Sequence, residues 1–399
     1  MLLVSSRMRF GDLCACKPHD PLNPMTRSGP RAAHSRYPSS RGVFKRNEEM
    51  SKPSFWWRPA VHAQRRHVLL KRAALTQSVR AFFAACDFLE ADTAILQFSP
   101  GNEAHISAFA TELIAPDGTM TRLFLHSSPE FAAKKLLAAG EERLFSLAHV
   151  FRNRERGPLH HPEFTLLEWY RAREPYQKLF EDCMDLLGAA AKVANADRFS
   201  FRSASADPFA PPEILPVTEA FHRYAGIDLL ATYDASGCDR AALAAQAKAI
   251  GLRVVEDDSW SDLFSKILSE KVEPRLGQGR ATFLVDYPAP EAALARLQED
   301  KRFAERFELY VCGVELANGF GELTDATEQR HRFEMEMEER QRIYGDSYPI
   351  DPDFLEALAN MPEASGIALG FDRLVMLATG ADHIEQVIWT PVAETGSPL

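Results

Sequence analysis

Two segments dense in branched and aromatic residues, 144–151 and 164–170, enclose a polar loop rich in arginine and histidine. Such residues favour β-strands, so the pattern predicts two strands joined by the loop. Further strands are predicted at 282–287, 308–316 and 367–370, and most of them also meet through turns rather than helical crossovers. Antiparallel strands can be joined in this way, whereas parallel strands need a crossover. The chain is therefore predicted to have an α+β fold with an antiparallel sheet flanked by helices.

Helical periodicity and helix-start signals supply the flanking elements. Serine, proline and glutamate favour the start of a helix, and they occur together as Ser128-Pro129-Glu130. Gly140 favours the end of that helix. The other predicted helices span 65–86, 180–193, 325–344 and the residues after Phe371.

Two local signals predict how the remaining chain is organised. Residues 207–216 are rich in proline and are predicted to be a linker into an inserted helical segment that ends near residue 279. Asn318-Gly319 is a strong turn signal and predicts a hairpin.

Composition excludes several classes of protein. No apolar run approaches the roughly 20 residues of a transmembrane helix, so we expect a cytoplasmic protein without a membrane partner. The six cysteines form no CxxC pair, which argues against a disulfide framework and a structural metal. The net charge of −10 opposes strong general binding to nucleic acid.

The first fifty residues differ from the rest because they carry scattered arginine, proline and serine without hydrophobic periodicity. This pattern predicts a disordered extension. A targeting peptide is the alternative, but it lacks an apolar h-region. An upstream start chosen in the gene model, with Met50 as the true start, is a second alternative.

Three polar segments are candidates for chemistry. The loop after 144–151 carries Arg152, and its guanidinium groups suit the binding of a triphosphate, although a solvated surface loop is the simpler alternative. Glu315 and Glu322 flank the predicted turn at Asn318-Gly319, and two close carboxylates repel unless a cation lies between them. That cation would be magnesium or a substrate ammonium, and two exposed glutamates in a hairpin are the alternative. In the third segment, Gly370 permits close approach of a flat ligand and Arg373 projects from the first helical turn.

In their order these segments resemble the class II aminoacyl-tRNA synthetase family, and within it the lysyl-tRNA synthetase branch. Phe151-Arg152, His161-Pro162-Glu163-Phe164-Thr165 and Glu168-Trp169-Tyr170 look like the second family motif. Gly370-Phe371-Asp372-Arg373-Leu374 looks like the third. The resemblance covers roughly residues 65–392, which we therefore expect to form the catalytic domain.

The resemblance implies activation of an amino acid by ATP with Mg²⁺. Arg152 would contact the α-phosphate and Arg373 the γ-phosphate as the catalytic residues, and Glu315 would contact ATP and its magnesium. The other implied ATP contacts are Asn153, Glu155, His161, Phe164, Leu316 and Gly370. The amino acid would be held by Ser128, Glu130, Tyr170, Asn318 and Glu322, and magnesium by Glu315 and Glu322. The substrate carboxylate would attack the α-phosphorus in line, release pyrophosphate and form an aminoacyl-adenylate, so no general base is needed.

The resemblance also bears on the acceptor. A lysyl-tRNA synthetase carries an N-terminal OB-fold for the anticodon, and the polar first fifty residues do not fit a five-stranded barrel. The predicted acceptor is therefore a lysine of elongation factor P, as in a truncated branch of the family. Charging of tRNA or another amine, and a non-catalytic paralogue that binds amino acid or nucleotide, remain open. Both α-lysine and (R)-β-lysine have two ammonium groups and one carboxylate, so either fits.

Two departures from the family pattern affect these expectations. Arg154 stands where the second motif usually has glutamate, so that Glu155 would read adenine only after a small shift. In the first motif, 89–94, Ala94 replaces the usual proline, and the expected homodimer depends on that motif.

Overall fold

A computed structural model describes residues 55–393, and the statements that follow concern this range. The predicted extension at 1–50 lies outside the described residues. The α-helices of the described range are α1 Pro59–Ala85, α2 Glu130–Ala138, α3 Lys178–Ala194, α4 Val217–Ala225, α5 Arg240–Ala249, α6 Trp260–Ile267, α7 Ala326–Tyr344, α8 Pro352–Asn360 and α9 Phe371–Thr379. None of them has an apolar stretch long enough to cross a membrane.

The strands of the same range form one large sheet and three small ones. In chain order they are β1 Leu89–Glu90, β2 Leu96–Gln97, β3 Phe109–Ile114, β4 Met120–Leu125, β5 Arg143–Phe151, β6 Glu163–Ala172, β7 Phe199–Phe201, β8 Ala204–Asp207, β9 Glu213–Pro216, β10 Tyr233–Asp234, β11 Gly237–Cys238, β12 Gly279–Arg280, β13 Thr282–Pro288, β14 Phe303–Val311, β15 Val314–Gly321 and β16 Ala364–Gly370.

The large sheet has the strand order β1-β5-β6-β16-β15-β14-β13-β9. Its six central strands pair antiparallel with one another. The short edge strands β1 and β9 pair in parallel with β5 and β13. The predicted antiparallel sheet flanked by helices is therefore confirmed, with a parallel strand added at each edge.

The hairpin predicted at Asn318-Gly319 was wrong, because both residues lie inside β15. The turn is at Cys312-Gly313, where φ is 57° and 72°, as a two-residue hairpin with positive φ at both positions requires. The predicted strand 308–316 therefore contains a turn. Position 319 requires glycine for a reason other than a turn: a Cβ there would lie 2.5 Å from two ring atoms of Phe307 on β14.

One face of the large sheet packs on α1, α3 and α9 around the main hydrophobic core. Alternation along β6 places Leu167 and Trp169 in this core and turns Glu168 and Tyr170 to the other face. On that second face α2 and α8 pack against the sheet, with the rings of Phe131 and Phe354 stacked at 3.9 Å. The second face is therefore polar at its centre and apolar at its rim.

The chain between β9 and β13 contains α4, α5 and α6, which share a second hydrophobic core. This core includes Leu215 on β9 and Leu284 on β13, so the segment is attached to one edge of the large sheet. The linker predicted at 207–216 was wrong over its last residues, since Glu213–Pro216 is strand β9.

Candidate active site

The second face of the sheet opens into a cavity of about 730 Å³. This size is typical of sites for small molecules and cofactors. The predicted site residues that line the cavity are Ser128, Glu130, Arg152, Glu155, His161, Phe164, Glu315, Leu316, Asn318, Gly370 and Arg373. Residues from all three sequence segments are thus brought together. Asn153, Tyr170 and Glu322 do not line the cavity, although the last two lie directly behind its wall.

Two guanidinium groups reach the cavity from different motifs. Arg152 follows β5, and its guanidinium carbon lies 5.3 Å from the ring centre of Phe164 on β6. Arg373 lies in the first turn of α9, where its Nη1 donates to the backbone oxygen of Glu315 at 2.7 Å. Its Nη2 lies 3.0 Å from Nε2 of His160. Burial and the charge of Arg373 lower the pKa of His160, so the neutral ring can accept a hydrogen bond from the guanidinium.

A buried charge pair fixes the start of α9 next to Arg373. Asp372 is 1% exposed, accepts a hydrogen bond from the backbone N–H of Thr165 on β6 at 2.6 Å and forms an ion pair with Arg72 of α1. Arg72 also donates to Oγ1 of Thr165 at 2.8 Å. One network therefore joins the core helix α1, the second motif and the third motif. Nothing in the sequence links Arg72 to Asp372, and this role was missed.

Carboxylates gather on the side of the cavity formed by β14 and β15. Glu308 accepts hydrogen bonds from Nη2 of Arg306 at 2.8 Å and from the hydroxyl of Tyr310 at 2.6 Å. Burial and then the charge of Glu308 raise the pKa of Glu315. Burial, Glu308 and Glu315 raise the pKa of Glu273 to about 7. Glu308 and Glu315 repel each other across this wall, and Arg306 and Arg373 offset part of that repulsion, so a bound cation would stabilise the ionised carboxylates further.

Magnesium fits this wall better at Glu315 than at Glu322. Within residues 55–393 no group of three or more His, Cys, Asp or Glu side chains is arranged to hold a metal. Mg²⁺ at nucleotide sites is commonly held by one or two carboxylates together with substrate phosphates, which Glu315 in the cavity could provide. Glu322 instead has a protein cation, since its Oε2 lies 2.7 Å from Nζ of Lys134.

Buried carboxylates line the other end of the cavity, near α2. Glu168 is 1% exposed and accepts hydrogen bonds from Oγ of Ser128 at 2.6 Å and from the hydroxyl of Tyr170 at 2.8 Å. Burial and then the charge of Glu130 raise the pKa of Glu168 to about 8. Glu163, by contrast, is 42% exposed and pairs with a histidine outside the cavity. Glu163 and Glu168 lie an odd number of residues apart on β6 and so point to opposite faces, and Glu168 is the one at the site.

Behind these carboxylates, Gly366 packs closely against Glu322 and Tyr170. A Cβ at Gly366 of β16 would overlap Oε1 of Glu322 and two ring atoms of Tyr170. Glu322 and Tyr170 are 1% and 3% exposed, so neither has open space to move into. Glycine at 366 is thus required for the two side chains to lie side by side. The role of Gly366 was missed, and its one signal in the sequence is its place in the strand before the third motif.

In the loop of the second motif, the side chains of Arg154 and Glu155 point in different directions. Arg154 has a positive φ of 64° and points toward the ring of Tyr344 on α7, whereas Glu155 lines the cavity. Two polar groups of Asn153 are used within the protein: its backbone N–H donates to the backbone oxygen of Ser107, and its Oδ1 accepts from the N–H of Arg154. A role for Glu155 and Asn153 toward ATP stays a prediction.

Comparison with known proteins agrees with this geometry. The family model of tRNA synthetases class II (D, K and N) matches residues 51–394. The chain therefore belongs to the class II tRNA synthetases of this type. It is 38% identical to the elongation factor P--(R)-beta-lysine ligase of Haemophilus influenzae strain PittGG, over 83% of this chain and 96% of that protein. It is 39% identical to the ligase of the same name from Avibacterium paragallinarum, over 83% and 96%, and 40% identical to that of Sodalis glossinidius, over 80% and 93%.

Proposed function

We propose that this protein activates lysine or (R)-β-lysine with ATP as an aminoacyl-adenylate and transfers it to a lysine side chain of elongation factor P. The observation that carries the proposal is that one cavity is lined both by cations and by acids. Its cationic end is the part beside Phe164 and the start of α9, with Arg152 and Arg373. Its acidic end is the part beside the start of α2, with Glu130 and Glu168. An amino acid bound between these ends would direct its ammonium groups to the acids and its carboxylate to the nucleotide. The name of the relatives supports the acceptor.

The two arginines are suited to the phosphates of ATP for different reasons. Within the described residues Arg152 has no carboxylate at ion-pair distance, so its charge is available to an anion. Arg373 is held by backbone and imidazole groups, and the carboxylate of Glu315 lies 3.8 Å from its Nη1, so among the described residues only one long ion pair offsets its charge. Positioned guanidinium groups stabilise negative charge that develops in the transition state. Arg152 and Arg373 would thus bind and orient the phosphates.

The acidic end is suited to a substrate with more than one ammonium group. Glu168 is held by Ser128 and Tyr170, so its carboxylate is fixed before the substrate arrives. The Oδ1 of Asn318 is buried and receives no hydrogen bond from any described residue, so it can accept one from a ligand. Magnesium bound at Glu315 would offset charge on the phosphates of ATP.

Amino-acid-dependent exchange of labelled pyrophosphate into ATP tests the first half of the proposal. We expect exchange with a lysine isomer and not with leucine, which lacks the side-chain ammonium. Absence of exchange with every lysine isomer would favour the alternative of a non-catalytic binding paralogue. Incubation with ATP, the active isomer and purified elongation factor P, followed by mass spectrometry, tests the acceptor. Label on tRNA but not on the protein would support the alternative that tRNA is charged.

We also propose that the protein is a homodimer. Apolar side chains are exposed where β3 ends and β4 begins, with Leu113 50%, Ile114 63% and Met120 58% exposed, and Ile114 pairs with Met120 across the two strands. Contiguous exposed apolar residues of this kind mark association sites. Ile114→Asp is expected to lower the mass seen by sedimentation equilibrium from the dimer to the monomer. A wild-type chain that sediments as a monomer at micromolar concentration would contradict the proposal.

A further inference from the structure

Lys134 is a buried cation next to the acidic end of the cavity. It lies on α2, its side chain is 1% exposed, and its Nζ is 2.5 Å from Oε1 of Glu130 and 2.7 Å from Oε2 of Glu322. Lysine is almost never buried to this extent unless it is paired. The three charged groups come from a helix and from the end of β15, so this pair of contacts also joins α2 to the sheet.

Lys134 does not line the cavity, but Glu130 does. Glu130 is 14% exposed in its side chain, and no other cation of the described residues lies within 4 Å of Glu130 or Glu322. Any effect of Lys134 on a ligand would therefore pass through Glu130. Glu130 lies one helical turn before Lys134 on α2, and Glu322 directly follows β15. Without a cation between them, the charges of these two carboxylates repel each other.

We propose that Lys134 is a positioning residue that holds Glu130 in the orientation in which it receives the substrate ammonium. The inference rests on the proposed function, because it takes the acidic end as the amino-acid site. Lys134 supplies one of the cations that Glu130, Glu168 and Glu322 require when they are ionised, and the substrate supplies the rest. A pocket built in this way selects a substrate by its number of ammonium groups as well as by its shape.

Lys134→Ala removes this cation and leaves space that a small ammonium ion from solution can fill. We expect the KM for the lysine isomer in pyrophosphate exchange to rise at least tenfold, with the KM for ATP changed less than twofold, because the nucleotide end is untouched. Added ethylammonium is expected to restore the KM for the amino acid in a saturable way. Lys135→Ala is the matched control: Lys135 is the next residue on α2, but it pairs with Asp351 and Asp353 away from the cavity. It should show neither the rise nor the restoration.

The outcomes separate this inference from the proposed function. If the wild-type protein gives no lysine-dependent exchange, the proposed function fails. If the wild-type protein is active, three results with folded Lys134→Ala would overturn the inference. They are a parent KM for the amino acid, an equal rise in the KM values for the amino acid and for ATP, and a raised KM that ethylammonium does not restore. Should Lys134→Ala not fold, Lys134→Gln, which keeps an N–H donor without the charge, replaces it. A raised KM for the amino acid alone supports the inference, and the parent KM overturns it.

Discussion

The wall between Gly366, Tyr170 and Glu322 permits a sharp test of the site. In Gly366→Ala, the added methyl group would overlap Oε1 of Glu322 and two ring atoms of Tyr170, which are side chains with almost no exposed surface. Gly366 pairs directly with Tyr170 across β16 and β6, so the backbone cannot move away without disturbing the ladder. The side chains must therefore shift, and with them the hydrogen bond from Tyr170 to Glu168.

The magnitude follows from the crowding. Overpacking a buried site by one methyl group costs about 1–3 kcal/mol, and contact with three atoms on two buried side chains places this variant near the upper value. This cost lowers the free energy of unfolding, and with it the melting temperature by a few degrees in a chain of this size. Displacement of Glu168 weakens binding in addition, and a loss of about 1.4 kcal/mol there would raise the KM for the amino acid about tenfold.

Pyrophosphate exchange and thermal unfolding, followed by circular dichroism, measure both effects. Gly188→Ala on α3 is the control, because its Cβ would make ordinary contacts of 3.6 and 3.7 Å with Phe209. Alanine is favoured over glycine inside a helix by about 1 kcal/mol, so this control should melt at the parent temperature or above it and keep the parent KM. A Gly366→Ala protein with the parent melting temperature and KM would refute the packing argument.

Three further variants test other parts of the site. Arg373→Ala should abolish adenylate formation while the melting temperature stays near that of the parent, since Arg373 contacts the cavity rather than the core. Asp372→Ala leaves Arg72 buried without its partner and should lower the free energy of unfolding in urea by about 3–5 kcal/mol. The raised pKa of Glu168, about 8, means that the folded protein binds the extra proton up to that pH. The stability from this proton is lost as the pH rises through 8, while kcat/KM for the amino acid rises because the ionised carboxylate binds the ammonium. Glu168→Gln should remove both changes.

Each of these expectations has a contrary result. Near-normal exchange by Arg373→Ala would mean that the third motif is misassigned. An unchanged urea midpoint for Asp372→Ala would mean that Arg72 finds solvent or another partner. A kcat/KM profile with the same limb near pH 8 in Glu168→Gln would assign that limb to another group.

The parts of the fold that could be predicted are those with a local signal. The density of branched and aromatic residues predicted β5 and β6. The helix predicted at 325–344 is α7, whose start is capped by Asp325, because that side chain accepts from the N–H groups of Thr327 and Glu328. The hairpin prediction at Asn318-Gly319 was wrong because glycine stands there for a packing reason. The ring of Phe307, on the neighbouring strand, leaves no space for a side chain at 319. The true turn at Cys312-Gly313 contains only one of the residues that usually mark a hairpin.

The same distinction applies to the site. Arg152 and Arg373 stand in motifs and were found, whereas the Asp372 pairing with Arg72 spans 300 residues of chain and leaves no pattern in the sequence. Lys134 had a usable signal, because it lies four residues after Glu130 and such pairs meet on a helix. That spacing alone does not reveal that Glu322 completes the group, since only the sheet brings β15 beside α2.

The register of the central sheet links stability to chemistry in this protein. Trp169 and Glu168 are neighbours on β6, and alternation sends the first into the main core and the second into the cavity. A slip of one residue would exchange them, exposing an indole and burying a carboxylate among apolar side chains, so the core strongly specifies the register. The Asp372 network extends the same control to α9, because it ties Thr165 of β6 to the helix that carries Arg373. The cationic and acidic ends of the cavity are therefore held at a fixed separation by the elements that bury the core, which is what in-line transfer between two bound substrates requires.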